Sequence, residues 1–158
     1  MSYNRPIYIH IRDEKPNNTS GGTFLSGGWR TRDLNVVKSD VQALVSIENN
    51  QLTLMPGTYR CRIRCPALRV GGHAARLQNI DTNVTILNGS NAYQNLNNTG
   101  GQSDSWIIGT FRLKTKTKLE VQHSCYSTKT INGFGGSVLL ATPVPEVYTE
   151  GELWRVGN

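Results

Sequence analysis

The sequence lacks any apolar stretch of the roughly 18 residues that a membrane span requires. Its beginning, Met1-Ser2-Tyr3-Asn4-Arg5-Pro6, has none of the apolar core of a secretory signal. Synthesis in the cytosol, with no membrane partner, is therefore expected. Cysteine is scarce, with 3 in 158 residues. Cys61 and Cys65 lie four residues apart on an expected strand, roughly 13 Å at about 3.3 Å per residue, too far for a mutual disulfide. With only Cys125 left over, buried free thiols are expected. The Asn-x-Ser/Thr sites at Asn17, Asn83, Asn88 and Asn97 carry no meaning without secretion. Apolar residues make up 37% and aromatic residues 8%. No amphipathic 3.6-residue pattern extends beyond a turn, which excludes a helical bundle. Acidic residues are also few, 11 against 17 basic, leaving a net charge of +6 and a pI near 9.5. That balance favours acidic surfaces as partners, such as nucleic acid, anionic glycan or an acidic protein lattice, and it also serves solubility.

Glycine, asparagine and threonine are plentiful, and short runs of alternating polarity recur between them. The clearest is Tyr59-Arg60-Cys61-Arg62-Ile63-Arg64-Cys65, launched from Pro56-Gly57. Successive strand side chains point to opposite faces, so Tyr59, Cys61, Ile63 and Cys65 share one face. Arg60, Arg62 and Arg64 share the other and are the expected partner-facing groups. Ile7, Ile9 and Ile11 alternate with Tyr8, His10 and Arg12 in a first strand. Further strands are expected at residues 34–37, 41–47, 51–54, 73–80, 84–87, 105–113, 119–123 and 146–156. Turns at 48–50, 81–83 and 114–118 connect several of them. Residues 15–28, 88–104 and 126–137 read as loops, and 66–72 as a connection hinged at Gly71-Gly72. In residues 105–113 one face carries Trp106, Ile108 and Thr110 and the other Ile107, Gly109, Phe111 and Leu113. Apolar groups on both faces point to burial on two sides, as in an oligomer contact. About eight to ten short strands with hairpin turns indicate an all-β, two-sheet antiparallel sandwich or jelly roll. It forms one domain over residues 1–158, with residues 1–6 as a short N-terminal arm.

Catalytic constellations are not found. His10, His73 and His123 are far apart and show no metal-ligand spacing, so hydrogen bonding explains them better. No nucleophile elbow, Walker loop or dinucleotide fingerprint occurs. The expectation is a protein that is no enzyme and has no cofactor and no metal. Glu146, Glu150 and Glu152 read as charge partners of the arginine ladder. Nucleic-acid binding would need aromatic stacking beside the arginines, yet alternation puts Tyr59 on the opposite face from them.

Several segments then occur in a telling order: Gly22-Thr23-Phe24, Gly28-Trp29-Arg30-Thr31-Arg32-Asp33-Leu34-Asn35, Pro56-Gly57-Thr58-Tyr59, His73-Ala74-Ala75-Arg76-Leu77, Gly109-Thr110-Phe111, Leu119-Glu120-Val121-Gln122-His123 and Glu146-Val147-Tyr148-Thr149. As an ordered set covering residues 9–156 they resemble the jelly-roll module of bacteriophage structural proteins, often found at tail-fibre tips. The topology of that module is similar to C1q and tumour-necrosis-factor domains. The resemblance implies a jelly roll of about ten strands, packed as a homotrimer and displayed on a virion. It makes Trp106, Ile108, Phe111, Tyr148 and Trp154 candidates for core and trimer interface. It also makes Arg30, Arg32 and Asp33 candidates for an internal salt-bridge cluster.

Fibre proteins carry a long shaft before such a module, whereas here only the short arm precedes the first strand. That points to a capsid decoration, or cement, protein held on the major capsid protein or another virion protein. The alternative is a receptor-binding tip, in which Tyr93, Tyr126 and Phe134 of two polar loops touch host surface glycans.

Overall fold

The structure, a computed structural model, describes residues 5–97 and 101–158. The described strands are β1 (Ile7–Lys15), β2 (Arg30–Thr31), β3 (Val36–Ser39), β4 (Val45–Glu48), β5 (Gln51–Leu54), β6 (Gly57–Leu68), β7 (His73–Asn79), β8 (Val84–Asn88), β9 (Gln102–Leu113), β10 (Thr117–Cys125) and β11 (Glu146–Gly157). They form two antiparallel sheets. A five-stranded sheet has the order β3-β1-β11-β6-β9, and the other has the order β4-β5-β10-β7-β8 with β2 added on β10. This is the all-β jelly-roll sandwich expected from the sequence.

The alternation within each strand places the core. On β6, Tyr59, Cys61, Ile63 and Cys65 are fully buried, while Arg60 and Arg62 are exposed. Ile9 and Ile11 of β1, Ile107 and Phe111 of β9, Leu119 and Val121 of β10, and Leu153 of β11 meet them between the sheets. Each fully buried Leu or Ile contributes about 1.5–3 kcal/mol relative to exposure. All three cysteines are free and buried. Burial pushes the Cys61 and Cys65 thiols up to about 12, so neither is a ready nucleophile.

Some boundaries differ from the sequence-based expectation. β6 continues through Pro66 to Leu68, and β9 begins at Gln102, with Pro66 opposite Asp104. The pairing of β11 with β6 ends at Glu150 and Arg64. The Pro66 carbonyl accepts from the Arg32 guanidinium. N and C=O of one strand residue face the same side, so the ring nitrogen costs no ladder bond. Residues 42–44 form a 3-10 turn rather than strand.

A second apolar cluster lies at one end of the sandwich, where Phe24, Ala67, Val70 and Cys125 pack with Phe134. Backbone bonds tie residues 21–24 to residues 129–135, as in Phe24 N–H to Lys129 O at 2.9 Å and Gly21 N–H to Gly135 O at 2.9 Å. The two long loops therefore cover each other instead of hanging free.

Candidate functional site

The outward face of the five-stranded sheet is organised in rows across the strands. His10 stands opposite Glu152, Glu152 opposite Arg62, and Arg62 opposite Ile108. The next row holds Arg12, Glu150, Arg64 and Trp106, and the row on the other side Tyr8, Trp154, Arg60 and Thr110. Cationic, acidic and aromatic side chains thus lie side by side.

The arginine ladder is supported chiefly by indole rings. The Arg62 guanidinium sits 4.6 Å from the Trp106 ring centroid and that of Arg60 5.3 Å from Trp154. Arg64 lies 3.7 Å from Asp104 and donates to the backbone carbonyls of Val147 and Tyr148. The expectation that Glu146, Glu150 and Glu152 pair with the ladder is corrected. Glu150 accepts from Arg12 at 2.6 Å and lies 2.9 Å from His10; burial works to raise its pKa, but Arg12 and then His10 together outweigh it and lower the value. Glu152 accepts from the Tyr8 hydroxyl at 2.9 Å. Glu146 is buried and accepts the backbone N–H groups of Asn18 and Val138. A concavity of about 440 Å³ on this face is lined by Tyr8, His10, Arg62, Arg64, Trp106, Glu150 and Glu152.

The five core or interface candidates are divided by the structure. Trp106, Ile108 and Trp154 lie on the outward face, with Ile108 61% exposed. Phe111 is intrachain core, stacked on Tyr59 at 5.6 Å. Tyr148 is buried too, and its hydroxyl donates to Thr19 O at 2.6 Å.

The expected Arg30–Arg32–Asp33 cluster does not form, because the three side chains take different partners. Arg30 donates to the carbonyls of Leu25 and Ser26, and Asp33 accepts from Lys15. Arg32 goes to the interior, where it is 1% exposed. There it donates to Thr149 Oγ1 at 2.5 Å, Pro66 O at 2.7 Å, Phe134 O at 2.9 Å and His123 Nδ1 at 3.0 Å. The chain continues from His123 Nε2 to His73 Nδ1 at 2.9 Å and from His73 Nε2 to Ser103 Oγ at 2.9 Å. Burial, and next the Arg32 charge, lower the His73 pKa to about 4 and hold that of His123 well below its ordinary value.

Sequence reasoning read His73 and His123 as separate. The pairing of β7 with β10 joins them, with His123 opposite Ala75 and Cys125 opposite His73, and the Trp29–Asp33 block meets the Gln122-His123 pair in space. β2 pairs with β10, Arg30 opposite His123 and Thr31 opposite Gln122. Arg76 completes the contact by lying over the Trp29 ring and donating to Gln122.

Of the loop aromatics, Tyr93 and Tyr126 converge. With Gly71, Gly72 and Leu96 they line a cleft of about 400 Å³, and they are 74% and 77% exposed. Phe134 is corrected as a glycan contact. Its ring stacks on Phe24 at 4.3 Å and lies under Arg32, so it is part of the second core. Residues 98–100 of the loop lie outside the described residues.

No protein-family model matches the chain, and no curated protein matches it in sequence. Among solved structures it is similar to murine APRIL at pH 8.0, with a TM-score of 0.57 and 9% identity over 94% of this chain and 98% of that one. Murine APRIL at pH 5.0 gives a TM-score of 0.52 and 8% identity over the same shares. At such identity the likeness is one of fold, and that fold is the tumour-necrosis-factor-like jelly roll.

Proposed function

We propose that this protein is a non-catalytic structural component of a bacteriophage virion, a homotrimer that decorates and stabilises the capsid. The observation that carries the reading is the outward face of the five-stranded sheet. It gathers Tyr8, Trp106, Ile108 and Trp154 with Arg60, Arg62 and Arg64, the residue types that concentrate binding energy at protein interfaces. Stacking on indole pre-orders the Arg60 and Arg62 side chains and so lowers the entropy lost on association. Among the described residues no group of three or more His, Cys, Asp or Glu side chains is arranged to hold a metal. The virion assignment itself rests on the ordered motifs of the sequence.

Two measurements test the reading. Sedimentation of the isolated chain is expected to give three times the chain mass, and a monomer at high concentration would remove the trimer. Cryo-electron microscopy of particles is expected to place the chain on the head. Density confined to a tail or fibre tip would discard decoration. A second reading, the receptor-binding tip, is favoured by one observation, the convergence of Tyr93 and Tyr126 on a single open cleft.

A further inference from the structure

We propose that the cleft between Tyr93 and Tyr126 is a binding site for a neutral hexopyranose. The inference deepens the second reading by naming the ligand class and the residues.

The walls are held in place before any ligand arrives. Ala92, next to Tyr93, exchanges two backbone hydrogen bonds with His73, at 2.8 and 2.9 Å. Gln94 N–H donates to Gly71 O at 3.3 Å, and Tyr126 N–H to Gly72 O at 2.9 Å. Both tyrosines therefore project from pinned backbone. Rings left so exposed gain nothing from folding and are available to a partner. The floor is made by the two glycines. Gly71 has φ +73°, and a Cβ there would stand 3.3 Å from both Leu96 and Tyr126. A Cβ on Gly72 would stand 3.9 Å from the Tyr93 ring, in ordinary contact, so a longer side chain there would reach into the cleft.

The lining decides the ligand. Flat apolar faces from Tyr93, Tyr126 and Leu96, edged by phenol hydroxyls, complement a sugar ring, which has an apolar C–H face and a polar rim. Gly71, Gly72, Tyr93, Leu96 and Tyr126 carry no charge near neutral pH, so nothing in the lining offers an acidic sugar or a phosphate a counter-charge.

The test is a titration of the full chain followed by amide NMR shifts. The probes are the methyl glycosides of glucose, galactose and mannose, with glucuronate and phenol as controls. At least one neutral glycoside is expected to shift residues 71, 72, 93, 96 and 126, with a Kd of about 1–10 mM. Tyr93→Ala and Tyr126→Ala are each expected to weaken it about tenfold, and Gly72→Leu to block it by filling the floor. The alanine sites are too exposed to endanger the fold, and unchanged β1 and β10 amide shifts verify that. Silence with all three glycosides overturns the proposal, as do binding of glucuronate or phenol alone and alanine variants that bind like the parent. The cleft and the tip reading fail separately. Glycoside binding with particle density only on the head keeps the cleft and discards the tip, whereas tip density with a silent cleft does the reverse.

Discussion

Arg32 and His123 share a hydrogen bond whose direction is forced: a guanidinium only donates, so His123 Nδ1, 3.0 Å away, must accept. His123 then carries its proton on Nε2 and donates it to His73 Nδ1. That leaves the His73 proton on Nε2, aimed at Ser103 Oγ. Both imidazoles are neutral in this chain, and each tautomer follows from a cation with no acid in hydrogen-bond contact. The buried charge is balanced by four acceptors and by the face of Phe134, 4.6 Å from the guanidinium carbon.

Replacing Arg32 with methionine is expected to lower stability by about 3–5 kcal/mol, because the acceptors around it stay buried and unpaired. Arg32→Lys is expected to recover little, since one ammonium cannot reach in the guanidinium's fork of directions. Urea unfolding of the parent and both variants checks this. A loss below about 1 kcal/mol for methionine would show that the network relaxes.

Acid is expected to destabilise the fold before ordinary carboxylates titrate. The folded His73 pKa is lowered to about 4 from 6.5, so the unfolded chain binds the extra proton first. The stability is present above pH 6.5 and is lost as pH falls toward 4, at up to about 1.4 kcal/mol per pH unit for one histidine. His123, shifted in the same direction, adds to the slope. Unfolding free energies at several pH values between 7.5 and 4.5 give the slope. His73→Gln, which has no titrating ring, is expected to flatten it, and an equal slope in that variant would rule His73 out.

Ile108→Glu is expected to disperse the proposed trimer while changing protomer stability by less than about 0.5 kcal/mol, because the residue is exposed on the protomer. Trp106→Ala is expected to weaken association as well, by removing the surface on which Arg62 rests. Phe111→Ala is the contrasting case, with about 3–5 kcal/mol of stability lost from a filled core position. Sedimentation combined with thermal unfolding separates the two classes, and unchanged association of both face variants would move the interface elsewhere.

Gly135→Ala is expected to cost more than about 2 kcal/mol. At φ +144° the position is unfavourable for any side chain, and a Cβ would run into the Tyr148 ring. The strain would reach the hydrogen bond that holds Thr19 and the loops over the second core. Hydrogen exchange at residues 19–24 and 129–136 is the sensitive measurement, since uniform protection there would show that the loops do not depend on this close approach.

Much of the sandwich was legible because alternation has a period of two and is local. The Tyr59–Cys65 pattern needs no partner to declare its two faces, and Gly and Asn mark the turns around it. What misled was burial by distant chain. Pro66 reads as a breaker, but β11 has stopped pairing where its missing N–H would matter. Glu146 reads as one of three like carboxylates, but residues 18 and 138 are brought to it by loops. Phe134 reads as an exposed loop aromatic, but residues 21–24 fold over the same end and supply Phe24 as its stacking partner.

The chain by itself determined most of the strands, the apolar face of strands such as Tyr59–Cys65, that the cysteines stay unpaired and that the net charge is basic. All of these follow from side-chain chemistry repeated at short spacing. Only the tertiary structure decided that Arg32, His123 and His73 form one chain of hydrogen bonds, that Trp106 and Trp154 lie under the arginines, and that Tyr93 meets Tyr126 across two glycines. Those outcomes depend on register between strands far apart in sequence. Register is selected by the simultaneous fit of the whole core, a cooperative quantity that no short segment encodes.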